Sequence, residues 1–415
     1  MTSHQLQVVL LVFGALLVTG ALLSGVARRS FLSLTALFAL LGFALGRGAT
    51  HVLHFTPRSE FVTDLAIVAL VVILFRDGLE VEAEMLQREW RLPLRKLILA
   101  MPITAAVIAL GAHVLVGLSW TESFLLGALL SPTDPVLSSS VVTNPRVPRL
   151  IRHSLNLESG LNDGLALPAV LAFAAALGSG SHFVLWRFVL QNVLVGFGTG
   201  IVLGALAAML MPRDERLAEG IPGYQKALYA LGTAFATYGI TELPPHGNGL
   251  IAVYVAAITL GIRRPDIRTY FQQQAAGLVE IVKIGVFVVF GSLLTLHGLF
   301  ADGWAAVGVV VVTLLIARPV GVFSALIGTR TDFATRAFMS WFGPKGVATM
   351  TFSLLVLADR IPSGLRIFNL AALTVFCSII AHGLTDTPGA DWIGRRAEAA
   401  EARETAGAAE PELVQ

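Results

Sequence analysis

Charge is scarce in this chain. Asp, Glu, Lys and Arg together make up 13% of its 415 residues, against about 25% in soluble domains. So few charges cannot clothe a soluble protein of this length. The 55% hydrophobic content and the mean hydropathy of +0.76 instead describe a polytopic membrane protein, so the soluble-domain prior of about 150 residues per domain does not apply. Cysteine is scarcer still. Cys377 stands alone in an apolar segment, which excludes an internal disulfide or a cysteine metal cage and leaves a small packing residue. No basic run is interleaved with aromatics, so nucleic acid is not an expected partner, and the net charge of +2 says little more. No nucleophile–base pair or histidine-rich metal motif stands out, so neither an enzyme nor a resident cofactor is expected. The N-terminal segment lacks the basic region of a signal peptide, and its arginines, Arg28 and Arg29, follow the apolar run. That pattern predicts an uncleaved first span with the N-terminus outside.

What is abundant is apolar sequence in lengths near those that cross about 30 Å of hydrocarbon. Thirteen such stretches fall at approximately 6–26, 31–46, 61–75, 97–118, 121–142, 155–178, 184–211, 222–242, 247–262, 277–299, 304–327, 335–358 and 367–385. An all-α fold follows, with about thirteen transmembrane helices. Loop charge orients it. Arg76, Arg88, Arg91, Arg95 and Lys96 all follow the third stretch, and the other connections of that parity are also basic. The opposite side carries only Arg47, Arg58, Arg187, Arg360 and Arg366. By the positive-inside rule the C-terminus is cytoplasmic, which predicts a multi-pass protein of the cell (inner) membrane. Residues 391–415 form a short alanine- and glutamate-rich cytoplasmic tail.

Against this background, ionisable residues inside spans demand a reason, because each costs about 2.5–3.5 kcal/mol on insertion scales. Asp134, Glu158, Asp163, Glu280, Lys283, Arg318 and Lys345 all fall there. Glu280 and Lys283 are spaced to pair along one helix. Two of the charged positions coincide with helix-breaking residues. Span 5 holds Asp134 between Pro132 and Pro135, and span 12 holds Lys345 among Gly343, Pro344 and Gly346. Proline removes a backbone donor and clashes with the preceding turn, so both spans are expected to unwind at depth, which is tolerated only where backbone is buried or lines a cavity.

The two broken spans lie seven crossings apart and therefore run in opposite directions. With span 7 as a linker, spans 1–6 and 8–13 form two inverted six-helix repeats, each broken in its fifth helix. That pairing points to a transporter site. Half-helix ends carry opposite partial charges, which Asp134 and Lys345 can compensate. Just beyond span 5, "NLESGLNDGLALP" places Ser159, Asn162 and Asp163 on one helical face, with Glu158 to the side. Such oxygen ligands suit a hard monovalent cation. A desolvated carboxylate there holds a cation or a proton but not comfortably both, and that competition is the basis of an exchanger.

Together, "SPTDPV", "ESGLNDG", "ARPVGV", "WFGPKGVA" and "GNGLIAVYVAAITLG" resemble the NhaP-type sodium–proton antiporters of the cation:proton antiporter superfamily, over nearly the whole chain. The resemblance implies an NhaA-like fold with crossed discontinuous helices. A core (spans at about 97–178 and 304–385) would move against a dimerisation domain (about 6–75 and 222–299), joined by a linker span (about 184–211), all within residues 1–390. It also implies a homodimer in the lipid bilayer that exchanges monovalent cations and protons. Asp163 would be the exchanged-ion carboxylate, with Asp134, the Thr133 carbonyl and Ser159 completing the cation site. Asn162 would hold the broken helices in place, Glu158 and Arg318 would form a structural ion pair, and Lys345 would compensate the second break. Asn162 before Asp163, in place of a second aspartate, implies electroneutral one-for-one exchange, with sodium the leading cation and potassium the alternative within the superfamily. One motif departs. Where relatives often read "LFEGGLE", this chain reads "LFRDGLE", so Asp77 and Glu80 are only candidate accessory acids. Two rival readings remain, a sodium-coupled organic-anion symporter on a similar scaffold and a channel-like or sensory protein in which the buried charges gate.

Overall fold

A computed structural model describes residues 3–27, 34–57, 59–81, 91–134, 139–179, 182–212, 220–243, 246–359 and 361–409, and every regular element among them is helical. In chain order those of five or more residues are α1 (Ser3–Ala27), α2 (Leu34–Leu45), α3 (Glu60–Glu80), α4 (Leu92–Val116), α5 (Trp120–Leu130), α6 (Ser139–Thr143), α7 (Arg149–Ser179), α8 (Leu185–Leu210), α9 (Gly223–Glu242), α10 (Gly249–Arg263), α11 (Pro265–Gln274), α12 (Ala276–Ser292), α13 (Gly303–Ala325), α14 (Phe333–Trp341), α15 (Val347–Ala358) and α16 (Gly364–Ala409). Each predicted apolar stretch overlaps helix, and those at 121–142 and 335–358 are interrupted by non-helical backbone. By length and composition α4, α7, α8, α13 and α16 can each cross a membrane unaided. The pair α11 and α12, bent by 58°, makes a sixth, and α2, α5, α10, α15 and part of α1 are shorter apolar helices.

Local chemistry sets the boundaries. Ser119 and Glu122 form a reciprocal capping box at the start of α5, satisfying donors that a helix N-terminus leaves free. Asp332 caps α14 by accepting from the Thr335 N–H at 3.0 Å. Helix α5 stops at Leu130; Ser131 still has helical backbone (φ −74°, ψ −38°), and Pro132 follows with no N–H to continue the hydrogen-bond ladder. The chain is then non-helical through Asp134. Pro135 lies outside the described residues, so only the first proline of that break is seen. Helix α14 stops at Trp341, and Gly343 and Pro344 keep residues 342–346 non-helical until α15 begins at Val347.

Close packing also shows where small residues matter. The Gly200 and Gly204 pair, expected from its spacing to form a helix contact, lies against α10. A Cβ at either position would stand 2.6 Å from the Ala252 or Ala256 carbonyl oxygen. The predicted Glu280–Lys283 contact is made at 3.1 Å. The described part of the tail, residues 391–409, is helical and continues α16 past Pro388 to Ala409. Several basic residues used to orient the chain, including Arg28, Arg29, Arg58, Arg88 and Arg360, lie outside the described residues.

Candidate ion-binding site

The two interrupted spans meet at their breaks. The Asp134 N–H donates to the Pro344 carbonyl at 2.8 Å. The Asp134 carboxylate accepts from the Val347 N–H at 3.3 Å, at the first residue of α15. In return, the Lys345 ammonium donates to the Ser131 and Pro132 carbonyls at 3.3 and 3.2 Å, just past the last residue of α5. The acid therefore sits at the positive end of one half-helix and the base at the negative end of the other, as helix dipoles favour. Gly346 permits this approach, since a Cβ there would fall 2.5 Å from an Asp134 oxygen. Lys345 is 1% exposed, and its backbone N–H donates to Ser378 Oγ at 2.8 Å. Thr349 adds a cross-link to the Leu129 carbonyl at 3.0 Å.

Helix α7 runs beside the crossing. Asn162 Nδ2 donates to the Thr133 carbonyl at 2.7 Å and to Thr133 Oγ1 at 3.0 Å, tying α7 to the first break. The Thr133 carbonyl keeps a second lone pair for another partner. Asn162 Oδ1 is buried without a hydrogen-bond partner, an acceptor that a bound ion or water can use. The next residue, Asp163, is 8% exposed, and among the described residues no basic side chain hydrogen-bonds to it or forms an ion pair with it. Its carboxyl instead faces that of Asp77 on α3, which packs on the same stretch of α7: a Cβ at Gly160 would stand 3.7 Å from the Asp77 carbonyl oxygen. Neighbouring carboxylates repel one another, and a proton or a cation between them relieves the repulsion. Ser159, one turn earlier on α7, is half-buried.

Of the two candidate accessory acids, the structure brings Asp77 to the site and leaves Glu80 outside it. Asp77 is buried and accepts two bonds from Arg76, at 2.8 Å from Nε and 2.5 Å from a terminal nitrogen. The Glu80 side chain is 45% exposed and 3.9 Å from Arg76. Arg76 was expected in a loop but is part of α3.

Glu158 lies on the same helix in a different setting. Arg318 grips it with two prongs at 2.8 and 3.2 Å and also donates to the Met339 carbonyl. Lys96 forms a second ion pair with Glu158 and reaches Ser154 Oγ at 3.4 Å. Sequence reasoning missed Lys96, which hydropathy places in the cytoplasmic loop. Both cations adjoin irregular turns: Lys96 opens the π-turn Lys96–Ala100 of α4, and Arg318 follows the π-turn Val312–Ala317 of α13. Such turns change the angular register of a helix and here turn two cations toward one acid. A second missed residue is Tyr254 on α10. Its hydroxyl donates to the Gly160 carbonyl at 2.8 Å, and its ring fills the space beside Gly164. Only the conjunction of a buried phenol with a facing glycine could have pointed to it.

Comparison with known proteins gives a consistent picture. The family model described as "Sodium/hydrogen exchanger, transmembrane" matches residues 14–392. The chain is 25% identical over 396 residues to the K(+)/H(+) antiporter NhaP of Alkalimonas amylolytica, covering 94% of this chain and 67% of that one. It is likewise 25% identical over 370 residues to the Na(+)/H(+) antiporter NhaG of Bacillus atrophaeus, covering 84% and 68%. The chain thus spans about two thirds of the length of the curated relatives it matches. In fold it resembles the sodium proton antiporter MjNhaP1 from Methanocaldococcus jannaschii, with a TM-score of 0.76 at 20% identity, covering 94% of this chain and 98% of that one.

Proposed function

Because the chain belongs to the sodium/hydrogen exchanger family, a family of multi-pass membrane cation:proton antiporters, we propose that it exchanges a monovalent cation for a proton at Asp163. The observation that carries this reading is the setting of that carboxyl. It is buried beside the crossed breaks and faces another acid, with no basic side chain among the described residues bound to it. A proton or a small cation supplies the missing positive charge, and each displaces the other. Asp163 and Asp134 provide the charged oxygens, and the Thr133 carbonyl and Ser159 supply neutral ones. Asn162 holds the break in register through its bonds to Thr133, while Lys345 and Asp134 balance the half-helix ends.

Under this reading the chain forms thirteen spans in two inverted repeats. Its core, spans at about 97–178 and 304–385, moves against a dimerising scaffold in the cell membrane, with the N-terminus outside and the C-terminus cytoplasmic. The neutral Asn162 leaves one exchangeable charge beside the helix-balancing Asp134, which supports electroneutral one-for-one exchange. Sodium is the first cation to test. Potassium is the second, because relatives including the Alkalimonas protein are named K(+)/H(+) antiporters.

The test is reconstitution into liposomes that hold a pH gradient, followed by external NaCl, LiCl or KCl. Cation-dependent collapse of the gradient without net current is expected from the wild type. Loss of at least about two orders of magnitude in rate, roughly 2.7 kcal/mol in the transport barrier, is expected for Asp163→Asn. Undiminished exchange in that variant would sink the assignment, and current proportional to turnover would refute electroneutrality.

A further inference from the structure

We propose that Arg76 is a built-in counter-cation that sets the affinity of the site for its transported ion, by holding Asp77 out of that ion's ligand set. The proposal rests on the exchange reading above. It starts from the one motif that departs from the family pattern, "LFRDGLE", where a base and an acid stand side by side in α3. Neighbouring residues on a helix point about 100° apart and do not normally face one another. Here Arg76 nevertheless turns onto its neighbour and spends two donors on a single oxygen, Asp77 Oδ1.

The scaffold delivers that acid to the site. Helix α3 is pressed against α10 at Gly78, where a Cβ would stand 2.8 Å from the Tyr254 carbonyl oxygen. Helix α10 is in turn tied to α7 by the bond from the Tyr254 hydroxyl to the Gly160 carbonyl. Asp77 is thereby held against α7 one turn from Asp163, where a Cβ at Gly160 would stand 3.7 Å from the Asp77 carbonyl oxygen. Without Arg76, three carboxylates, Asp77, Asp134 and Asp163, would converge on one monovalent ion. A transported ion must bind firmly enough to enter and loosely enough to leave, and a trianionic cage works against release. The guanidinium is suited to the task because it stays charged at all working pH values and matches a carboxylate geometrically.

A two-residue cycle read by cation affinity separates this arrangement from a purely structural pair. Wild type, Arg76→Gln, Asp77→Asn and the double variant are reconstituted, and the KM for Na+ and for K+ is measured from gradient collapse. Removing Arg76 alone frees Asp77, so KM is expected to fall about tenfold, equivalent to about 1.4 kcal/mol. Removing Asp77 alone leaves the guanidinium free to occupy Asp163, so KM is expected to rise about tenfold. The double variant is expected to return to within about threefold of wild type, because the two errors cancel. Equal rises in Asp77→Asn and the double variant would show Asp77 to be an ordinary ligand and overturn the proposal. So would a KM within about twofold of wild type in all three variants. If Arg76→Gln fails to fold, Arg76→Lys replaces it. Lysine keeps the charge but loses the paired grip, so a fall in KM of about two- to threefold is expected, and an unchanged KM again overturns the proposal. A wild type without cation-dependent proton flux would refute the exchange reading instead, whereas an active wild type with an unresponsive Arg76 refutes only this inference.

Discussion

Glu158 and Asp163 sit little more than one turn apart on α7, are almost equally buried, and could hardly be kept more differently. Glu158 is held by two cations from two other helices, with every contact made by the protein itself. Asp163 is given an acid for a neighbour and no bound base. Burial alone therefore does not mark a transport residue. Under the exchange reading, the distinction lies in whether the protein supplies the counter-charge or leaves it to be supplied from solution.

The difference can be broken from the Glu158 side first, where the effect on stability is largest. Glu158→Gln leaves Lys96 and Arg318 buried with no anion, and removing one partner of a buried pair typically costs about 3–5 kcal/mol. A marked drop in the unfolding temperature of the purified protein is expected. Asp163→Asn should leave that temperature unchanged or higher, because it removes a charge that no basic side chain among the described residues neutralises. Equal destabilisation by the two variants would erase the distinction. The next step is Lys96→Met, which leaves Glu158 the two-pronged grip of Arg318 and puts an apolar chain in the same buried place. The expected loss is about 1.5–3 kcal/mol, that of one hydrogen bond to a charged group, with exchange retained. A loss of exchange with stability intact would move Lys96 into the transport machinery. The smallest effect belongs to a surface acid whose partners are complete. Asp332→Ala removes the cap of α14, worth about 1 kcal/mol. The Thr335 contact holds the Asp332 carboxyl below its ordinary value, followed by weaker help from Arg396. The stabilisation is therefore fully present above the unfolded aspartate value and is lost as pH falls through the lower folded one. A melting curve recorded from pH 7 down to pH 3 should show wild type and variant converging.

Much of this arrangement is legible in the amino-acid sequence itself, and for physical reasons. Proline and glycine act locally, so Pro132, Gly343 and Pro344 announce the breaks. Charge is expensive in lipid, so Asp134, Lys345, Glu158, Asp163 and Arg318 stand out against apolar neighbours. Lys96 does not, because it lies where hydropathy turns from loop to span, and only the π-turn beginning there carries it inward. The pairing of Arg76 with Asp77 is hidden for a related reason. Both lie near the end of α3, where a sequence reads equally well as wet helix end or buried site, and the arbiter is the packing of Gly78 on α10, a contact between segments far apart in the chain. The orphaned Asn162 oxygen and the Tyr254 hydroxyl are equally unreadable, since hydrogen-bond accounting requires atomic positions.

The length of α16 has a consequence of its own. From Gly364 to Ala409 it runs for 46 residues, about 69 Å at 1.5 Å per residue, roughly twice the thickness of the hydrocarbon layer. Its early turns hold Ser378, which grips the backbone of Lys345, and its later turns brace Asp332 through Arg396. A rod anchored beside the helix crossing converts any tilt there into a larger excursion at its far end. A spectroscopic label near residue 399 would therefore follow the transport cycle from outside the membrane, magnified by the lever and without disturbing the ion's own path.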